Sequence, residues 1–265
     1  MRMLARRAPV VAALPVVLIA TAGCDLVTAE FRHTETAEWR KTFDLQPGGR
    51  VSVGNVNGRI AVEPSEGNTV EVVAVKTAKA ASPEAAKQAL ERIEIVDQAS
   101  PDTVSVETKI RRVSSWFGSG GAQVGYTVRV PSGAVMRFTT VNGGVEVRGV
   151  DGQLTAETTN GGIVVRDITG SVEASTTNGG IDVDVLELSE AGARLECTNG
   201  GIKLRLPPTA RATISASVAN GGIDTGGLQL ETLESSRRRL EARLNGGGPQ
   251  VRIEGTNGGI RIAAR

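Results

Sequence analysis

The chain has 265 residues, 33 of them glycine and only 3% aromatic. It lacks the rings on which a globular core normally leans, and it favours stacked backbone with small side chains. With 30 basic against 29 acidic residues the formal net charge is +1, which gives no field for nucleic acid or an acidic partner; a single histidine, His33, removes most histidine-based metal and catalytic schemes.

Residues 1–23 read as an export signal. Arg2, Arg6 and Arg7 form a basic start, and Ala8 to Ala20 is an apolar stretch too short for a comfortable membrane span. The segment ends Thr21-Ala22-Gly23-Cys24. Small residues leading into a cysteine resemble the lipobox of bacterial lipoproteins, although leucine is usual where Thr21 stands; the alternative is an ordinary secretory signal. The resemblance implies that Cys24 is acylated with palmitate-type chains. It also implies anchorage to the bacterial cell membrane, facing the extracytoplasmic side. Asp25 resembles the inner-membrane retention signal of diderm lipoproteins. Residues 24–41 are polar and mixed in charge, and are expected to be a tether.

A β domain is expected over 42–265. Val51 and Val53 alternate before Asn57-Gly58-Arg59, and Ile60 and Val62 follow, which makes a degenerate first copy of the repeat described below. Thr69 to Thr77 reads as a further strand. Ser82-Pro83-Glu84 is a helix start, with Ser82 as cap and proline at the first helical position. Ala85, Ala89, Leu90 and Ile93 predict a short amphipathic helix over 83–95, inserted at 82–96 as a cap on the end or flank of the β stack. Thr103 to Ile110 alternates again. Residues 113–123 form a Gly-rich loop whose Trp116 and Phe117 are candidate contacts for a partner or a lipid surface.

From Arg137 to Asp224 one pentad recurs: V-N-G-G-V, then T-N-G-G-I three times, then A-N-G-G-I. Its asparagines are Asn142, Asn160, Asn178, Asn199 and Asn220, spaced by 18, 18, 21 and 21 residues. Apolar residues stand four and six positions before each asparagine, and threonine, cysteine or valine stands two before (Leu154, Ala156 and Thr158 in one copy, Ala193, Leu195 and Cys197 in another), with mostly polar ones between. After the glycines the alternation continues, as in Ile163/Val165 and Ile181/Val183. Period two excludes a helix and makes each unit two short strands. Equivalent residues at equivalent positions predict stacking in register, about 4.8 Å per layer. The fold class is therefore all-β: a flattened single-chain β-solenoid of stacked two-strand rungs, about 18–21 residues each, with one short helical insertion.

The two glycines of the pentad are expected to supply positive φ where the chain reverses. The asparagines, with Asn57 at the start and Asn257 at the end, form a structural turn ladder of stacked amides. A metal or ligand array is the functional alternative. No aspartate follows the glycines as calcium-binding repeats require, so no metal or cofactor is expected. Cys197 takes the place of threonine in its sister rungs and should point inward as a small buried group. Past Asp224 the period blurs; Arg237-Arg238-Arg239 reads as a solvated edge, and Asn257-Gly258-Gly259-Ile260 closes the chain.

These units, the Tyr126-Thr127-Val128-Arg129-Val130-Pro131 strand and the closing Asn257-Gly258-Gly259-Ile260-Arg261-Ile262 resemble a bacterial family of β-strand-repeat proteins of unknown function that carry an adhesin label. The resemblance implies the architecture and says little about activity. The function expected is that of a membrane-anchored, extracytoplasmic, non-catalytic scaffold or binding protein for an unknown protein or glycan. One alternative is a sensory component of an envelope-stress system. Another is a polysaccharide-acting enzyme, for which Asp182, Asp184, Lys203 and Arg205 are the best cluster. Outer charges that alternate in sign from rung to rung favour pairing over acid/base chemistry, and no catalytic residue is assigned.

Overall fold

The computed structural model describes residues 33–111 and 121–265, all within one compact unit, Phe31–Arg265. The export signal, Cys24, the first part of the tether, Trp116 and Phe117 lie outside the described residues. In chain order the elements are β1 (His33–Asp44), β2 (Arg50–Gly54), β3 (Ile60–Pro64), β4 (Thr69–Ala80), α1 (Pro83–Glu91), β5 (Ile93–Ser100), β6 (Thr103–Ile110) and β7 (Gly121–Val130). Then come β8 (Ala134–Asn142), β9 (Val145–Arg148), β10 (Asp151–Asn160), β11 (Ile163–Asn178), β12 (Ile181–Asn199) and β13 (Ile202–Leu206). The chain ends with β14 (Ala212–Asn220), β15 (Ile223–Gly226), β16 (Leu230–Ser235), β17 (Arg239–Leu244), β18 (Gln250–Asn257) and β19 (Ile260–Ala264). Among the described residues the protein is all-β with one short helix.

The strands before each Asn-Gly turn pair in parallel in the order β6, β2, β8, β10, β11, β12, β18, β14. Those after it pair in parallel as β7, β3, β9, β11, β12, β13, β19, β15. β11 and β12 occur in both series because each serves as the second strand of one unit and the first of the next. Pairing in register brings like residues together. Val53, Phe138, Ala156, Ala174, Leu195, Ile253 and Ala216 occupy one column of partnered, buried positions. Ile60, Val145, Ile163, Ile181, Ile202 and Ile260 occupy another. Each buried valine, leucine, isoleucine or phenylalanine of these columns contributes roughly 1.5–3 kcal/mol by leaving water, and each alanine less.

Two units are out of sequence order. β2–β3, the first in the chain, lies between β6–β7 and β8–β9. β18–β19, the last, lies between β12–β13 and β14–β15. Three of the four outermost places go instead to antiparallel strands, and the fourth is β15, which among the described residues pairs only with β19. β5 pairs with β6, and β1 pairs with β4, which pairs with β7; at the other end β16–β17 is a hairpin laid against β14. Antiparallel edges of this kind finish a parallel stack whose bare terminal strand would otherwise invite strand addition.

Three boundaries differ from expectation. His33–Lys41, expected as tether, belongs to β1, because β4 presents an edge along its whole length and β1 pairs with it from His33↔Ala80 to Asp44↔Thr69. The helix stops at Glu91 with Arg92 as its cap, and Ile93 opens β5, where β-branched Ile93, Ile95 and Val96 suit a pleated surface better than a helix. Gly121, Ala122 and Gln123, expected as loop, begin β7. At the start of the helix Ser82 Oγ accepts from the Ala85 amide at 3.2 Å, and Pro83 takes the first turn. The helix packs on β4 and β1.

Candidate functional site

The turn asparagines form one chain of side-chain amides. Asn142 Nδ2 donates to Asn57 Oδ1, Asn160 to Asn142, Asn178 to Asn160 and Asn199 to Asn178, all at 2.8–2.9 Å. Asn257 then donates to Asn199, and Asn220 to Asn257, at 2.8 and 2.9 Å. At the far end Asn57 Nδ2 donates to the Ala122 carbonyl at 3.2 Å. All the amides point the same way, so each bond polarises the next. No carboxylate enters the ladder, and among the described residues no group of three His, Cys, Asp or Glu side chains gathers to hold a metal ion.

The two pentad glycines have different duties. A Cβ on Gly161 would stand 2.0 Å from the Gly143 carbonyl oxygen of the adjoining rung, whereas one on Gly162 would stand 3.4 Å from that of Gly180. The first glycine is therefore required by close approach of backbone, and the second is not. Positive φ is confined to the first glycine, as at Gly179 (φ 152) and Gly200 (φ 149), which corrects the expectation that both supply it. Arg59 at the second-glycine position of the first unit is consistent with this room. The crowded carbonyls receive a donor from inside the turn. Thr158 Oγ1 donates to Gly143 O at 2.8 Å, Thr176 Oγ1 to Gly161 O at 2.9 Å, and Cys197 Sγ to Gly179 O at 3.2 Å. Cys197 is buried, and that burial pushes its thiol pKa up, away from the thiolate that nucleophilic chemistry needs.

On the outer face of the second strands, Asp182 is the hub of an ion-pair cluster. Arg166 grips its carboxylate with both terminal nitrogens at 2.9 and 2.8 Å, and Arg205 Nη2 reaches Oδ1 at 2.9 Å. Burial pushes the Asp182 pKa up, but the Arg166 hydrogen bonds and the charges of Arg166, Arg205 and Lys203 together hold it below the ordinary value. Arg205 also approaches Asp184 at 3.6 Å. Arg265 Nε lies 3.1 Å from Asp184 Oδ1 as a charge contact without hydrogen-bond alignment, and Arg265 also pairs with Asp167.

The four residues picked from the sequence, Asp182, Asp184, Lys203 and Arg205, are thus adjacent, and the structure adds Arg166, Asp167 and Arg265. Arg166 was discoverable, since it falls on the column of Asp184 one repeat earlier. Arg265 was not, because its place depends on the displaced last rung. The outer order along the stack is Glu146, Val164, Asp182, Lys203, Arg261, Asp224, so Lys203 and Arg261 abut and the signs do not strictly alternate. Asp182 is held as an anion between guanidinium groups. That arrangement suits pairing between rungs and gives no general acid and base facing one substrate.

At the opposite corner from the asparagines, the units of 21 residues carry longer connections. These frame an open recess of about 660 Å³ lined by Leu186, Leu188, Glu190, Pro207, Arg211 and Pro249. Leu186 is 46% exposed there.

No curated protein matches the chain. Among solved structures it is similar to a "putative cell adhesion protein" from Clostridium sporogenes, with 10% identity and a TM-score of 0.44 over 86% of this chain and 100% of that one. It is also similar to a "putative adhesin" from Bacteroides fragilis, with 10% identity and a TM-score of 0.33 over 86% and 97%. A "putative lipid binding protein" from Parabacteroides distasonis aligns at 9% identity and a TM-score of 0.26 over 85% and 96%. The family model described as Toastrack DUF4097 matches residues 50–263, and the chain belongs to that family.

Proposed function

We propose that this protein is an extracytoplasmic lipoprotein, held to the bacterial cell membrane by an acylated Cys24. Its two parallel strand series form a flattened β-solenoid that serves as a non-catalytic, adhesin-like scaffold or binding module. The observation that carries the reading is the amide ladder from Asn57 to Asn220, which links the turns of successive units of the repeat. The charges beside it point the same way: Arg137–Glu157, Arg166–Asp182 and Arg205–Asp182 tie side chains of neighbouring rungs together. A surface built this way is stiff and chemically quiet, and it suits display or docking of a protein or glycan.

Replacing Cys24 by Ser tests the anchor. The variant should leave the membrane fraction for the soluble one, and continued membrane association would sink the lipoprotein assignment. A pull-down from native membranes tests the binding role. A retained glycan supports the adhesin-like role, whereas a single stoichiometric membrane-protein partner would favour a sensory component; turnover of an envelope polysaccharide by the purified protein would overturn the non-catalytic reading.

A further inference from the structure

The C-terminal rung, β18–β19, fills a slot with two walls. Ala193–Cys197 of β12 and the length of β13 bond it on one side. Thr213–Val218 of β14 and β15 bond it on the other. Both walls precede Gln250 in the chain, so the rung enters between strands already laid down. To reach the slot from β17 the chain must pass over β14, and it does so in Asn245-Gly246-Gly247-Gly248-Pro249. Asn245, Gly246 and Gly247 have φ of 51°, 82° and 88°. Three successive glycines let such a crossover open with little steric resistance.

The turn column lacks side-chain donors in the seam around this rung. Thr158, Thr176 and Cys197 each supply a donor to the adjoining glycine carbonyl, but β18 has Gly255 at that position and β14 has Val218, neither with a side-chain donor. A recess of about 440 Å³ opens there, lined among others by Cys197, Ser217, Val218, Glu254 and Gly255. The walls recognise the rung through register and the repeated Asn-Gly-Gly-Ile turn, and a rung from another molecule presents the same groups.

We infer that β18–β19 is an exchangeable arm, which a second copy of this chain supplies to the slot, so that two molecules join by reciprocal exchange through the Asn245–Pro249 crossover. Every contact the arm makes in the exchanged pair already exists within one chain. The exchange is opposed by the entropy of association, by the geometry of the hinge, and by the hydrogen bonds that hold the crossover down, from Asn245 Nδ2 to the Pro208 and Ala210 carbonyls at 2.8 and 2.7 Å and from Arg211 Nε to Gly247 O at 3.1 Å.

The test uses the full chain with Cys24→Ser and Cys197→Thr, and with Ser217→Cys and Glu254→Cys, which are partners across the seam. After unfolding and refolding at increasing protein concentration, a short bis-maleimide links the new thiols. A denaturing gel then separates links within a chain from links between chains. Between-chain links should rise with concentration. A control pair away from the seam, Ser175→Cys with Glu196→Cys, should link only within chains. Deleting Gly246 and Gly247 leaves the crossover too short to span β14, and should double the mass seen by light scattering. Links confined to single chains at every concentration with the native hinge would overturn the exchange, as would equal between-chain linking of the control pair. The native-hinge result decides even if the shortened variant fails to fold.

Discussion

Asn257 donates its side-chain amide to Asn199, 58 residues away, at 2.8 Å, although Asn220 is the turn asparagine nearer to it in sequence. Asn220 in turn donates to Asn257 and stands at the end of the ladder. Position in the stack, and not position in the chain, decides how many ladder bonds each asparagine holds.

This sets a gradient for mutation. Asn178 gives one bond to Asn160 and takes one from Asn199, both at 2.9 Å, whereas Asn220 only gives one. A net contribution of about 0.5–1.5 kcal/mol per hydrogen bond makes Asn178→Ala cost about 1–3 kcal/mol, and Asn220→Ala about half as much. Urea denaturation of the two variants measures this. Equal losses would show that the ladder is geometry without energy.

The glycine pair gives a sharper contrast. Gly161→Ala forces a methyl to within 2.0 Å of a backbone oxygen that cannot move without parting two rungs. The loss should be on the order of 3 kcal/mol or more, enough to threaten folding. Gly162→Ala meets only a 3.4 Å contact and should cost about 1 kcal/mol or less. Thermal unfolding of both variants separates the two duties, and similar melting temperatures would refute the division.

Asp182 carries the clearest pH dependence. Its folded pKa lies below its unfolded value, so its contribution to stability is fully present above the unfolded carboxylate pKa, about 3.9. It is lost as pH falls through the folded value. Asp182→Asn should therefore be less stable than the parent near neutrality, and the gap should narrow as acid protonates the parent. A gap that stays constant from neutral pH into acid would remove Asp182 from the linkage.

Much of this arrangement is legible in the residues, for a physical reason. Period-two alternation fixes which face of each strand is dry, and copies with like residues at like positions can stack only in register; hence Ala156, Ala174 and Leu195 share a column. The order of the stack is not legible, because T-N-G-G-I at 256–260 fits any gap between two rungs equally well. β1 is obscure for a different reason. His33–Asp44 holds few apolar residues, and what makes it a strand is the open edge of β4, a tertiary partner and not a local pattern. The charged cluster is half legible: Arg166 follows from the repeat, while Arg265 arrives only through the displaced last rung.

That displacement yields the last prediction. Ile260 and Ile223 are equivalent residues of the repeat, and Ile260 lies 37 positions nearer the end of the sequence given. In a stack built in chain order, Ile260 would be at the margin and Ile223 inside. Here Ile260 is buried between Ile202 and Ile223, while Ile223 is only half-buried because β15 has no parallel strand beyond it. Ile260→Ala should leave a cavity costing about 2–5 kcal/mol, against roughly 1 kcal/mol for Ile223→Ala, where solvent already reaches the site. Chemical denaturation of the two variants decides the matter. A larger loss at Ile223 would mean that β14–β15, and not β18–β19, is the inner rung in solution.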